Sequence, residues 1–542
     1  MSASRDLLER VERLNRIGIA LSWQRDTTHL LETILENARA LTGADGGSLY
    51  LVDGDAVSFE IMQTESLGIR LGGTTGQEIP FEPLRLHVDG QPNRTMVITS
   101  CILDGRSINI ADTHAEAAFD FSGTRSFDAR TGYDTRSLLA VPMLDHEGEV
   151  IAALQLINAT DDNGRVVAFS DESHRLTESL ASQAALALTN KRLVDGLRNL
   201  FESFVRLIAE AIDEKSPYTG AHCRRVPALT LMLADAAHRH EEGPLGGFRL
   251  EENERYALDL AAWLHDCGKI TTPEYVMDKS TKLETVRDGI DTIATRVAVC
   301  QAELQGECAR RQAQALARDD HAAAARAEAE RDTGCRQLAD DLAFLRRANI
   351  GGEVMSAADV ERVRAIATRQ WTDSAGQAQP LLTEDEVANL CIARGTLNDD
   401  ERRIIENHAA MTIRMLERLP FPRALASVPE YAGAHHERVD GRGYPRGLTR
   451  EQMSVPARAM AIADVFEALS ANDRPYKEAR SLSQCLQILG RMCEEGHIDP
   501  DLFAIFIDQG VYREYAERYL DPAQIDEVDP RSLPGYGRAV SG

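Results

Sequence analysis

Leu186, Leu193, Leu200 and Leu207 recur every seven residues, and Gln183, Asn190, Leu197, Phe204 and Ala211 fill the row three positions earlier or four later. A seam of this kind predicts one continuous helix with Leu at d and a mixed a row. Asn190 at an a position is costly unless its amide meets another amide across a parallel, in-register partner, so the seam predicts a parallel homodimer. The alternative is a single amphipathic helix packed on a neighbouring sheet. Either way, the segments before and after it are joined by a rod.

The 542 residues leave room for about three or four domains. Nearly half are hydrophobic, enough for packed cores, yet the longest apolar runs, such as 150–157, fall far short of the ~20 residues that cross a bilayer. The first 25 residues lack a signal-peptide pattern. The expectation is a cytoplasmic protein without a membrane partner. Nine cysteines without any Cys-x-x-Cys pair argue against a zinc ribbon and suit a reducing compartment. A net charge of −26 disfavours binding to nucleic-acid polymers or anionic membranes. An anionic small substrate would need a site that locally reverses the sign, as bound cations with Lys269, Arg474 and Lys477 could do.

Ahead of the seam, Leu30–Leu41 has helical spacing, Gly47–Val52 and Val57–Met62 read as strands, and Ser137–Met143 turns at Asp145-His146-Glu147-Gly148 into Val150–Asn158. With Phe127-Asp128, Thr131-Gly132-Tyr133 and Ser182-Gln183-Ala184-Ala185 around it, this stretch resembles a GAF domain. The resemblance implies an α/β sensor, an antiparallel sheet with flanking helices, over residues 1–190 including an N-terminal helix. It also implies a small ligand whose identity stays unknown. The Asn-Lys, Phe, Asp-Glu pattern of cyclic-nucleotide-binding relatives is broken, since Ala159 follows Asn158 and Phe169-Ser170-Asp171-Glu172 compresses the spacing. Asn158 and Asp171 read instead as turn and helix-cap residues. His114, His146 and His174 are isolated and read as surface histidines rather than haem ligands.

Beyond the seam lie two segments rich in ligand chemistry. One is His265-Asp266-Cys267-Gly268-Lys269-Ile270; the other is His435-His436-Glu437-Arg438-Val439-Asp440-Gly441-Arg442-Gly443-Tyr444-Pro445. Together they resemble the HD-GYP family of metal-dependent cyclic di-GMP phosphodiesterases. Thr271–Lys279, Asn407-His408, Ala463–Leu469 and Asp473-Arg474-Pro475-Tyr476-Lys477 extend the likeness, over roughly 216–283 and 384–505. The resemblance implies an all-α domain over 213–542, joined to the sensor by a coiled-coil linker at 176–212. Residues 284–383, rich in Ala, Arg, Glu and Gln, read as an inserted helical hairpin.

Phosphodiester hydrolysis needs a strong nucleophile at neutral pH and positive charge where the phosphoryl oxygens grow negative. Two metal ions sharing a water supply both. Asp266 has an oxygen for each ion, and the resemblance assigns His222, His265, His408, His435, His436 and Asp464 to the remaining positions. It makes Asp266 and Lys269 catalytic, and Lys269, Gly443, Tyr444, Pro445, Arg474 and Lys477 contacts of the substrate. A nitrogen-and-oxygen set without cysteine suits iron or manganese. Where many relatives carry a third-site glutamate, this chain has Tyr218, and a phenol of pKa ~10 is a poor ligand. Two ions are therefore expected, with cyclic di-GMP opened to pGpG, or carried on to GMP. The alternatives are a phosphohydrolase for another cyclic dinucleotide and a signalling scaffold that binds one.

Overall fold

Val57, Phe59 and Ile61 alternate with Ser58 and Glu60, a period of two that builds a sheet. In the computed structural model, which describes residues 16–21, 26–215, 222–352, 354–471 and 480–537, strands β1 (Ala44–Asp53) and β2 (Ala56–Thr64) form an antiparallel hairpin. β3 (Ile69–Gly72), β4 (Ile108–Ile110), β5 (Leu138–Leu144) and β6 (Val150–Thr160) complete the main path, in the order β3-β2-β1-β6-β5-β4. Every pairing is antiparallel.

Both faces of this sheet are covered. Leu49, Leu139, Val141 and Leu154 pack under helix α1 (Thr27–Thr42), while Tyr50, Leu138, Ala140 and Ala153 pack under α2 (Val97–Asp104); α3 (Ser122–Thr131) lies between β4 and β5 in the chain. Two covered faces explain why β5 is a nearly unbroken apolar run. Asn158 takes a positive φ of 52°. Its side chain accepts from the Arg136 amide at 2.8 Å and donates to the Asp134 carbonyl at 2.8 Å, the turn role expected of it. Asp171 is not the cap: the Ser170 hydroxyl accepts from the Ser173 amide at 3.1 Å, so Asp171 opens the first turn instead. His114 and His146 are exposed, as expected, but His174 is half-buried and faces Glu178 at 3.2 Å.

The seam lies on helix α4, which runs unbroken from Asp171 to Asp213 through Gly196. The chain divides into two compact units, Met1–Phe201 and Glu202–Gly542. In the first, Leu180, Ala181, Ala184, Ala185 and Leu188 of α4 join the sheet core. In the second, Val205, Ala209 and Ile212 are buried. The d row is on neither buried face: Leu186, Leu193, Leu200 and Leu207 are 61, 53, 54 and 59% exposed.

The second unit is almost wholly helical. α5 (His222–Arg239) and α6 (Glu252–Leu264) precede an inserted antiparallel pair, α7 (Ile290–Leu316) and α8 (His321–Ile350). Gly334 of α8 faces Leu304 of α7, where a Cβ would stand 2.5 Å from the end of the leucine side chain. The insertion is more than a helical hairpin. It adds α9 (Ala357–Ala367) and a small β-hairpin, Gln370–Thr372 with Ala378–Pro380, around its own core of Ile293, Val297, Leu345, Val363 and Leu381. Turn chemistry at Asp373, whose carboxylate accepts from the Ala375 and Gln377 amides, produced that hairpin. α10 (Glu384–Leu390), α11 (Asp399–Leu416), α12 (Val428–Gly433) and α13 (Val455–Ser470) follow. α13 is apolar on nearly all sides because it is the central helix, packed on α5, α12 and the helix Leu482–Glu494. Among the described residues, no helix is long and apolar enough to cross a membrane.

Candidate active site

Five separate segments deliver polar side chains to one buried point. His222 opens α5, His265 and Asp266 end α6, His408 sits inside α11, His435 and His436 follow α12, and Asp464 lies on α13. His265, Asp266, His408 and His435 are at most 3% exposed, a depth at which unpaired polar atoms are costly.

Three of the histidines share one device. His265, His408 and His435 each donate from Nδ1 to the carbonyl three residues earlier, Ala262 at 2.8 Å, Ile405 at 2.5 Å and Ala432 at 2.6 Å. A carbonyl only accepts, so the bond fixes the tautomer and leaves Nε2 as a lone-pair donor facing inward. His408 Nε2, His435 Nε2 and Asp266 Oδ1 are buried without a hydrogen-bond partner among the described residues.

Asp266 lies between two groups. Its Oδ1 faces His408 Nε2 at 3.3 Å and His435 Nε2 at 3.8 Å, while its Oδ2 faces His265 Nε2 at 3.2 Å and His222 Nε2 at 3.5 Å. Asp464 repeats the pattern, with Oδ1 3.2 Å from His222 Nε2 and Oδ2 3.9 Å from His436 Nδ1. Two sets of ligand atoms, His222-His265-Asp266 and His408-His435-His436, are each mutually within 4.8 Å. Ligands about 2.1 Å from one divalent ion stand about 3 Å apart at right angles, so these inward-facing atoms, three of them buried without a hydrogen-bond partner among the described residues, fit a pair of cations.

The electrostatics suit that reading. Burial pushes His436 down to about 4 and His435 well below the usual imidazole range, so both are neutral and free to ligate. Burial works against the charge on Asp266, but Lys269 and His265 outweigh it and hold the carboxyl well below its ordinary range. His222 is opposed by burial too, yet the Asp266, Asp464 and Glu467 carboxylates raise it well above the histidine norm.

Lys269 is carried by the 3-10 turn Cys267–Thr271, and its Nζ lies 2.5 Å from Asp266 Oδ2. The turn is braced on two sides. Lys215, just past α4, donates to the carbonyls of Ile270 at 2.8 Å and Thr272 at 2.7 Å. Thr412, one turn after His408, accepts from the Gly268 amide and donates to the His265 carbonyl, both at 3.0 Å. The Gly443-Tyr444-Pro445 loop folds over Glu437, whose buried carboxylate accepts from the Arg446 amide at 2.7 Å and the Leu448 amide at 2.9 Å. This brings the Tyr444 ring to 4.8 Å from His436. Tyr218, Arg474 and Lys477 lie outside the described residues.

Sequence reasoning missed Glu467, Thr412 and Glu437. Glu467 is 1% exposed, bonds His222 Nδ1 and pairs with Arg225 at 2.6 Å. Its spacing, three residues after Asp464 on α13, was the available signal. Glu467→Ala is expected to weaken metal binding about 10–100-fold, with Glu467→Gln intermediate because an amide oxygen still accepts from Nδ1–H. Competition titration of the purified proteins against a chelator checks this; an alanine variant of unchanged affinity would make Glu467 a packing residue only.

Comparison with known proteins agrees with both units. A GAF domain model matches residues 26–188, and an HD domain model matches residues 383–502. The chain is 39% identical over 148 residues to the cyclic di-GMP phosphodiesterase PA4108 of Pseudomonas aeruginosa, covering 27% of this chain and 33% of that protein. It is 41% identical over 110 residues to 3'3'-cGAMP-specific phosphodiesterase 3 of Vibrio cholerae, 20% of this chain and 23% of that one. It is 34% identical over 129 residues to the cyclic di-GMP phosphodiesterase response regulator RpfG of Xanthomonas campestris, 22% of this chain and 34% of that one. The chain thus spans between 23 and 34% of the length of these relatives.

Proposed function

We propose that this chain, which carries a GAF domain followed by an HD domain, is a metal-dependent phosphodiesterase that opens cyclic di-GMP to pGpG under control of its sensor. The observation that carries the reading is Asp266, one oxygen toward each of two ligand sets, with its Oδ1, His408 Nε2 and His435 Nε2 buried and without a hydrogen-bond partner among the described residues. In this reading the enzyme spans 213–542, with 284–383 inserted, behind a sensor over 1–190 and a linker over 176–212.

His222, His265, His408, His435, His436, Asp266 and Asp464 would hold two divalent ions, iron or manganese by the hardness of the donors. Such a pair supplies a water acidic enough to attack at neutral pH and positive charge for the phosphate. The protein's own part is positioning. The Nδ1 bonds of His265, His408 and His435 hold each Nε2 inward without rotational loss. Burial works against the charge on Lys269, but Asp266 keeps its ammonium protonated, so it can donate to a non-bridging phosphate oxygen. The Tyr444 ring beside His436 offers a flat wall for a base or ribose, with Gly443 and Pro445 shaping the loop. Arg474 and Lys477 remain assigned to the substrate by resemblance alone.

A second substrate has a specific ground, because two relatives of comparable identity are 3'3'-cGAMP-specific. Both substrates share the phosphodiester that the cluster would act on. The deciding experiment is elemental analysis of anaerobically purified protein with turnover of both dinucleotides. About two ions per chain and cleavage of cyclic di-GMP are expected. Metal-loaded protein that cleaves neither would refute the activity and leave the scaffold reading.

The exposed Leu row with Asn190 supports a parallel homodimer through α4, and a cytoplasmic location accords with the substrate. Insertions between Asp195 and Gly196 then become informative, since each residue turns the seam by about 100° and seven nearly restore its phase. Activity or its response to the sensor is expected to vary periodically with insertion length, and Asn190→Leu to alter dimer state or register by analytical ultracentrifugation. Indifference to length would reduce α4 to a tether.

A further inference from the structure

A cavity of about 280 Å³ opens on the α2 side of the first unit's sheet, against Ser48, Tyr50, Phe59, Met62, Gln155 and Ile157. That is near the small end of ligand cavities. Aromatic rings run along its wall: Tyr50 to Phe59 at 4.5 Å, Phe59 to Phe81 at 5.3 Å, and Phe81 to Phe127 at 6.5 Å between centroids. Such a wall favours flat apolar guests, and the negative faces of its rings attract cations and repel anions.

The charges on the wall point the same way. Its ionisable acids and bases are Glu82 and Asp120, with no lysine, arginine or histidine among the described lining residues. The Asp120 carboxylate is satisfied by the Ser122 amide at 2.8 Å and hydroxyl at 2.9 Å, and Arg125 lies near enough to favour its charge. Glu82 is exposed and makes no hydrogen bond or ion pair among the described residues. The Gln155 amide is half-buried and likewise uncommitted, a polar handle at the sheet end of the cavity. Asn158, the residue a phosphate-bearing ligand would be expected to engage from the sequence pattern, is tied to the backbone of Asp134 and Arg136.

We propose that this cavity binds a flat aromatic molecule of one or two rings, neutral or cationic, with Gln155 as its polar contact and Glu82 at its mouth. Phosphorylated and carboxylated ligands, cyclic nucleotides among them, are rejected because their charge would enter an acidic, aromatic wall with no base among its described lining residues. The ligand's charge class, rather than a nucleotide base, then sets what the sensor reports.

Calorimetric titration of the full chain with indole, tryptamine and indole-3-acetate tests this, because the three share a ring and differ in charge. Cyclic AMP and cyclic GMP complete the series. Indole and tryptamine are expected to bind, indole-3-acetate at least about tenfold more weakly, and the cyclic nucleotides not at all. Glu82→Lys, a substitution at an exposed position, should move the preference toward indole-3-acetate. Equal or tighter binding of indole-3-acetate or a cyclic nucleotide overturns the proposal, as does no binding of indole and tryptamine at about 1 mM. A charge preference unmoved by Glu82→Lys would place the bound molecule elsewhere and overturn it too.

Discussion

Asp266→Ala is expected to lose at least about 10³-fold in phosphodiester turnover, about 4 kcal/mol of transition-state stabilisation, and to be purified with less metal than the parent chain. The cause is geometric. One carboxylate faces His408 and His435 with Oδ1 and His265 and His222 with Oδ2, so its loss removes a ligand from both sets at once. It also leaves the half-buried Lys269 ammonium without the carboxylate 2.5 Å away. Lys269→Ala separates the two effects: it should keep its metal and lose about 10²-fold in rate, because an ammonium is no metal ligand and its expected role is toward the phosphate. Elemental analysis beside steady-state kinetics distinguishes them. An Asp266→Ala protein with full activity would sink the assignment of the whole cluster.

Gly268→Ala should be nearly as damaging, though it removes no functional group. A Cβ at this position would stand 2.0 Å from the His408 carbonyl oxygen and 2.7 Å from the Thr412 amide. These are backbone atoms of α11, which cannot swing aside as a side chain would. The 3-10 turn and α11 must separate, at a cost of about 3 kcal/mol, and that movement parts His408 from Asp266. Loss of metal together with a lower unfolding temperature of the second unit is the expected result. Gly306→Ala, at an exposed position of α7, is the control. Nothing lies within 4 Å of a Cβ there, and it should stabilise by about 0.5–1 kcal/mol. If Gly268→Ala proved as benign as Gly306→Ala, the close packing of turn and helix would not hold the site.

The sensor strands were legible because alternation and turn residues are local signals: β1, β2 and β6 each contain the stretch expected of them, and β5 begins one residue after the expected Ser137. The helix at Gln183–Ala211 was legible for the same reason. The small hairpin at Gln370–Pro380 was not, since its three-residue strands are too short for a period to register and it is held by packing of Trp371 against the insertion's core. Asp171 was misplaced by one residue at a helix start, where several polar residues compete for the cap.

The sequence by itself determined the donors: which imidazoles and carboxylates are available, that no cysteine stands among them, and that a glycine separates Cys267 from Lys269. Residue chemistry is local and survives without a fold. Tertiary structure decided how the donors divide. Only the packing of α13 on α5, and of α11 on the 3-10 turn, turns one oxygen of Asp266 toward each ligand set. The same packing buries Glu467 behind His222. In the sensor, only the assembled sheet shows that the aromatic wall carries acids and no base, because its residues come from segments more than 100 positions apart. Such pairings are set by side-chain packing between distant elements, which no local period encodes.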